Sequence, residues 1–257
     1  MANYENQPTR YGTAVGGAVC AVDEGLRAHM LRVYNYMAVG LVLTGVAAYA
    51  AYAASVTGTP TDYAIGGGQY LTSIGYALFV SPLKWAVILV PLVMVFFLSF
   101  RIQKMSVAAA QATFWIYAAL VGVSLAVIFL VYSQQSITQV FFITAATFGA
   151  MSLYGYTTKR DLTGMGSFLF MGLIGIIIAS VVNIFMASSA LGFAISVIGV
   201  LIFTGLTAYD TQKIKEMYSV NDDGTLAGRK AIMGALSLYL DFINLFLMLL
   251  RLFGDRR

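Results

Sequence analysis

Charge is missing from four long stretches of this chain. Residues 33–61, 85–100, 105–158 and 162–209 contain no Asp, Glu, Lys or Arg. A helix needs roughly 20 apolar residues to cross the hydrocarbon core of a bilayer. The third and fourth stretches are therefore each long enough for two crossings. Only 26 of the 257 residues are charged (15 basic plus 11 acidic), whereas a soluble domain carries about 25%. Mean hydropathy is +0.82. Lipid accepts apolar side chains directly, so the chain is expected to be an all-α integral membrane protein with seven transmembrane helices.

The expected organisation is a polar N-terminal tail over 1–29, a transmembrane domain over 30–253 and a short C-terminal tail over 254–257. No basic start followed by a compact apolar run marks a signal peptide, so the first helix is expected to serve as its own insertion signal. Asp23 to Arg32 suits a short interfacial helix where the tail meets helix one. The helices are expected at 30–54, 83–101, 107–132, 137–156, 166–186, 190–210 and 231–252. Residues 74–81 read as an approach to helix two, ended by Pro82. Pro91 inside helix two removes one backbone hydrogen bond and predicts a kink. Residues 211–230 read as the longest polar loop on the inner side. Cys20 is the only cysteine, which rules out an internal disulfide; it is expected as a free thiol in the tail.

Basic residues set the orientation of such a bundle. With the N-terminus in the cytoplasm, eleven of the fifteen, from Arg10 to Lys230, fall on the inner side. Lys84, Arg251, Arg256 and Arg257 fall outside. A re-entrant last segment would return the final three to the inside, but its 22 residues are long enough to cross. Small residues such as Gly172, Gly175 and Ala179, or Gly199, Thr204 and Gly205, suit close helix packing in lipid.

Two carboxylates stand out. Asp241 lies 11 residues past Lys230 (241 − 230), which is about 16 Å along a helix and near the middle of the core. An ionisable group there costs at least ~2.5–3.5 kcal/mol, so it should face the protein interior or a water-filled cavity. Asp241 shares one helix stripe with Gly234, Ser237 and Asn244. The seam suits a central helix lining a path. Asp210 ends helix six, and it gains interest if helices six and seven are neighbours. Two close carboxylates cannot both ionise cheaply and would share a proton. Their oxygens also suit transient Ca²⁺ binding. Arg101 ends helix two at a similar depth to Asp210. The expectation is a proton-sensitive latch in which Asp210 pairs either with Arg101 or, through a shared proton, with Asp241.

The run 238–246, Leu-Tyr-Leu-Asp-Phe-Ile-Asn-Leu-Phe, followed by Leu249, Leu250 and Arg251, resembles the final helix of the Bax inhibitor one family, the transmembrane Bax inhibitor motif proteins. The run 203–212, Phe-Thr-Gly-Leu-Thr-Ala-Tyr-Asp-Thr-Gln, resembles that family's sixth helix. Phe148-Gly149-Ala150 and Tyr156-Thr157-Thr158 resemble its fourth. The resemblance covers residues 30–253 and looks bacterial. It implies a seven-helix fold with the last helix central. It also implies a pH-sensitive calcium leak whose two aspartates match Asp210 and Asp241, with a latch arginine matching Arg101 by position. Other members restrain a membrane-anchored ATP-dependent protease or suppress cell death. This chain departs in its 211–230 loop, which reads as longer than in compact members, and in lacking a long charged C-terminal tail.

The leading expectation is thus a calcium leak channel of the inner membrane, with the aspartates gating a path lined by Ser237 and Asn244. The alternative is a non-transporting regulator of a membrane-anchored protease. An aspartyl intramembrane protease is half-matched: Tyr209-Asp210 fits, but Leu238-Tyr239-Leu240 stands where Gly-x-Gly normally precedes the second aspartate. Other chemistry finds no residues. No mid-membrane lysine is present for a Schiff base, and His29, the only histidine, falls in the expected tail. No cofactor is expected beyond Ca²⁺ as the permeant ion, and no enzyme activity.

Overall fold

The computed structural model describes residues 12–66 and 68–256, with side chains from Glu24 onward. Arg10, Gly67 and Arg257 lie outside the described residues, and of Cys20 only the backbone is described. In chain order the helices are α1 (Gly12–Ser55), α2 (Ser73–Phe79), α3 (Leu83–Arg101), α4 (Val107–Leu125), α5 (Ile128–Val131), α6 (Gln134–Thr157), α7 (Thr163–Met186), α8 (Ser189–Glu216) and α9 (Gly224–Phe253). Seven segments are long and apolar enough to span a membrane: those built on α1, α3, α4 with α5, α6, α7, α8 and α9.

The spans begin where polar side chains can cap them. Ser106, Ser133, Ser188 and Asp223 each accept a hydrogen bond from a backbone N–H of the first turn of α4, α6, α8 and α9 respectively. Such caps satisfy donors that the helix itself leaves free. α3 runs as expected from Leu83 to Arg101, with Pro91 inside it. The third span departs from a single helix, since the α-helical run stops at Leu125 and resumes at Ile128.

Three helices are longer than hydropathy alone indicates. α1 begins by Gly12 and runs without a break through the expected interfacial segment into the first span. His29 therefore sits on this helix, 5% exposed, with its ring 5.7 Å from that of Tyr218. α8 continues to Glu216 and α9 starts at Gly224, so the connection expected over 211–230 shrinks to 217–223. Buried contacts explain the extension of α8. Gln212 accepts from the Leu162 amide at 2.8 Å through Oε1 and donates to the Arg160 carbonyl at 2.8 Å through Nε2. Lys230 Nζ lies 2.6 Å from Asp222 Oδ2 and donates to the Met217 carbonyl at 2.9 Å, holding the short connection to α9.

The opposite end carries a small antiparallel sheet that the sequence reading missed. Its strands are β1 (Val56–Thr57), β2 (Ala64–Gly66) and β3 (Gln69–Leu71), in the order β1-β3-β2. Val56 pairs with Leu71, and Ala64 with Tyr70. Gly68 takes φ +74° in the turn between β2 and β3, a conformation open to glycine. Residues 74–81 are mostly α2, a separate short helix.

The C-terminus lies at the end of the bundle where α6 begins. Ser133 N–H donates to the Asp255 carbonyl at 3.0 Å, and Asp255 N–H donates to Ser136 Oγ at 2.9 Å. The loops at 158–162 and 217–223 lie at the other end, with Lys159, Arg160 and Lys230. The last helix thus traverses the bundle rather than turning back.

α9 is the centre of the fold. It packs against α1, α4, α6 and α8. Of its most apolar stretch 61% is buried, against 11% for α7, which packs mainly on α8. The large exposed apolar side chains, such as Phe100, Phe168, Ile184 and Phe185, are what a lipid-facing surface requires.

Candidate functional site

Glycines let the helices around α9 approach closely. A Cβ on Gly155 of α6 would lie 2.2 Å from the Ala208 carbonyl oxygen of α8. One on Gly122 of α4 would lie 2.4 Å from the Thr44 carbonyl oxygen of α1. Backbone-to-backbone packing of this kind draws on dispersion, because apolar burial gains little in lipid. Between α3, α7, α8 and α9 there is a cavity of about 1060 Å³. Its lining on α7 runs from Gly166 to Ile184. Those 18 steps (184 − 166) rise about 27 Å, most of the thickness of a hydrocarbon core.

All four sequence-predicted residues of α8 and α9 line this cavity: Asp210, Ser237, Asp241 and Asn244. The packing of α8 on α9 puts Asp210 and Asp241 on the wall of the same cavity, near enough for their carboxyl groups to influence each other. Asp241 is 5% exposed, and its Oδ2 has no hydrogen-bond partner among the described residues. Asp210 is half-buried. Asn244 donates from Nδ2 to the Leu240 carbonyl at 2.8 Å, one turn back on its own helix. That bond leaves its Oδ1 free to meet the cavity.

Arg101 is placed differently. It is exposed at the end of α3, outside the cavity lining, and makes no ion pair among the described residues. The cation that lines the cavity beside Asp210 is Lys213, one turn further along α8. Its Nζ lies 5.8 Å from the centre of the Tyr209 ring. Lys213 was missed because the sequence reading ended helix six at residue 210. On a continuous helix the spacing of three places the two side chains on one face. Ser99 of α3 and Ser167 and Ser180 of α7 also line the cavity. Their signal in the sequence was only that of polar residues on otherwise apolar helices.

The remaining wall is apolar. Phe203, Leu206, Ile176 and Leu240 belong to it. Nothing near Asp210 and Asp241 completes a group of three metal-ligating side chains, and no such group occurs among the described residues. The arrangement is thus a pair of acids in a long, mostly apolar cavity, with one amine at the edge. It can hold a proton between two carboxyls, or offer their oxygens to a cation that passes.

The comparisons with known proteins agree with the motifs. The family model described as "Inhibitor of apoptosis-promoting Bax1" matches residues 26–257. An uncharacterised protein of Rickettsia prowazekii is 49% identical over 235 residues, covering 91% of this chain and 92% of the relative. The inner membrane protein YbhL of Escherichia coli is 48% identical over 236 residues, covering 91% and 94%. An uncharacterised membrane protein of Streptococcus pyogenes is 38% identical over 232 residues, covering 90% and 94%. With seven spans and these relatives, the chain is a multi-pass protein of the bacterial inner membrane, and it belongs to the Bax inhibitor-1 family.

Proposed function

We propose that the protein is a pH-sensitive calcium leak channel of the cytoplasmic membrane, gated by protonation of Asp210 and Asp241. The observation that carries this reading is the presence of both carboxyl groups on the wall of one cavity whose α7 side runs from Gly166 to Ile184. With both groups ionised, their repulsion in a low-dielectric site is costly. A shared proton removes that cost, and so does a divalent cation. Carboxylate oxygens are hard ligands suited to Ca²⁺, and acidic side chains select cations in pores. Two ligating groups are too few to trap the ion, which suits passage rather than storage.

The apolar wall supports gating. Phe203 and Leu206 belong to that wall, and an apolar stretch of a pore gates by staying dry until charge and water enter together. In this conformation the pair meets itself and Lys213 rather than Arg101. An arginine latch therefore requires α3 to shift towards α8. The reading assigns no catalytic residue.

The test is calcium entry into proteoliposomes loaded with a fluorescent indicator, compared with empty vesicles, at mildly acidic and mildly alkaline pH. The reading expects entry above the empty-vesicle level at one pH at least, and a rate that changes between the two. Flux equal to that of empty vesicles at both would sink it, and would favour a non-transporting regulator that binds a membrane-anchored protease.

A further inference from the structure

A separate groove opens on the lipid-facing side between α1 and α6. These helices rest mainly on other neighbours, α1 on α4 and α9, α6 on α8 and α9. The gap between them, about 480 Å³, is lined by Arg27, Leu31 and Tyr34 from α1 and by Phe148, Gly149 and Leu153 from α6. The 27/31/34 and 149/153 spacings put each set on one stripe of its helix. A hydroxyl contact between Tyr34 and Ser152 bridges the floor. At Gly149 a Cβ would meet nothing within 4 Å, so the wall there is open space.

Charge marks one end of this groove. Arg27 is exposed at its mouth. Beside it Tyr156 completes the lining, with Lys215 Nζ 5.4 Å from the centre of its ring. A crevice of similar size near the other end of the bundle, about 430 Å³ and lined by Leu41, Phe129 and Phe246 among others, has no Lys or Arg in its lining. From Arg27 to Tyr34 the helix rises about 10 Å, the depth of a glycerol backbone and the upper part of an acyl chain. Lys215 Nζ donates to the Tyr156 carbonyl at 2.9 Å, so Arg27 is the cation left to face the groove; an apolar slot between two spans, with an arginine at its interfacial end, matches the two halves of an acidic lipid.

We propose that the α1–α6 groove binds one anionic phospholipid of the leaflet at the basic end, with its phosphate at Arg27 and an acyl chain laid along Gly149. A neutral lipid would gain only the apolar contacts.

The test uses the full chain in nanodiscs of equimolar phosphatidylglycerol and phosphatidylcholine, with retained lipids counted by native mass spectrometry. The wild type is expected to retain phosphatidylglycerol over phosphatidylcholine. Arg27→Gln should cut that preference about five-fold, the equivalent of the ~1 kcal/mol that one arginine contributes near an acidic surface. Gly149→Leu should fill the slot and lower retention of both lipids. Both positions are exposed, and circular dichroism checks that the variants fold. Equal retention of the two lipids by the wild type would overturn the proposal. So would an unchanged preference in Arg27→Gln, or unchanged retention in Gly149→Leu.

Discussion

Tyr239 of α9 places its hydroxyl 2.7 Å from Thr44 Oγ1 of α1, and both residues are buried. Thr44 Oγ1 also lies 3.0 Å from the Gly40 carbonyl and 2.9 Å from the Ala118 carbonyl. A threonine hydroxyl has one proton, which goes to a carbonyl, so Tyr239 donates to Thr44. The bond ties the central helix to the first, with the edges of the Phe114 and Tyr117 rings around it. The two partners should differ in sensitivity. Tyr239→Phe removes a donor and should cost about 0.5–1 kcal/mol, in line with polar contacts inside membrane bundles. Thr44→Val strands a buried tyrosine hydroxyl and should cost more, about 1–3 kcal/mol. Unfolding midpoints in mixed micelles titrated with dodecyl sulfate measure both.

Close approach of α6 to α8 depends on Gly155, because the atom that a Cβ would meet is the Ala208 carbonyl oxygen. Backbone yields less readily than a side-chain tip. Gly155→Ala should destabilise the bundle by about 1–3 kcal/mol, the usual cost of overpacking. Gly149→Ala, six residues earlier on the same helix, faces open space and should be neutral or slightly stabilising. Equal melting temperatures for the two variants would contradict this packing.

The turn before α7 carries a titratable hydrogen bond. Asp161 Oδ1 accepts from the Thr163 amide at 2.8 Å, and hydrogen bonding to Thr163 holds its carboxyl below the usual carboxylate value. A carboxyl lowered in the folded state contributes stability that is present above its unfolded value, about 3.9, and lost as pH falls through the folded one. The hydrogen-exchange protection factor of the Thr163 amide should therefore hold from neutral pH to about 4 and decline below it. In Asp161→Asn the protection should no longer change with pH.

Lys213 and Arg101 make opposite predictions about what tunes the site. Lys213 lines the cavity beside Asp210, whereas Arg101 stands outside it. A cation near a carboxyl favours its ionised form. Lys213→Gln should move the midpoint of the flux–pH curve to higher pH, by under about one unit since Lys213 is exposed and screened. Arg101→Gln should leave that midpoint where it is. A larger shift for Arg101→Gln would mean that α3 carries its arginine to the pair in another conformation.

The parts of the fold written in the sequence are those that lipid imposes. Charge-free runs marked the first six spans, and the seventh was legible as an apolar run holding one polar seam of Gly234, Ser237, Asp241 and Asn244. Hydropathy goes silent where a helix leaves the bilayer. Lys213, Lys215 and Glu216 read as loop, yet they ride on a helix held by the buried Thr211, Gln212 and Ile214. The small sheet was hidden because strands of two or three residues leave no alternating pattern to detect. At the site, Asp241 was legible as a costly residue in the middle of its helix, whereas Asp210 read as a helix end whose pairing with Asp241 hung on helices six and seven being neighbours. That adjacency is a matter of α8 packing against α9 and not of any local pattern.

The central claim is that Asp210 and Asp241 act as one proton-sensitive gate. The direct measurement is calcium flux into proteoliposomes across mildly acidic to mildly alkaline pH for the wild type, Asp210→Asn and Asp241→Asn. The account expects a wild-type flux that changes with pH and a flux in either variant that does not, since one carboxyl alone cannot share a proton across the pair. A pH response retained unchanged in both variants would contradict it.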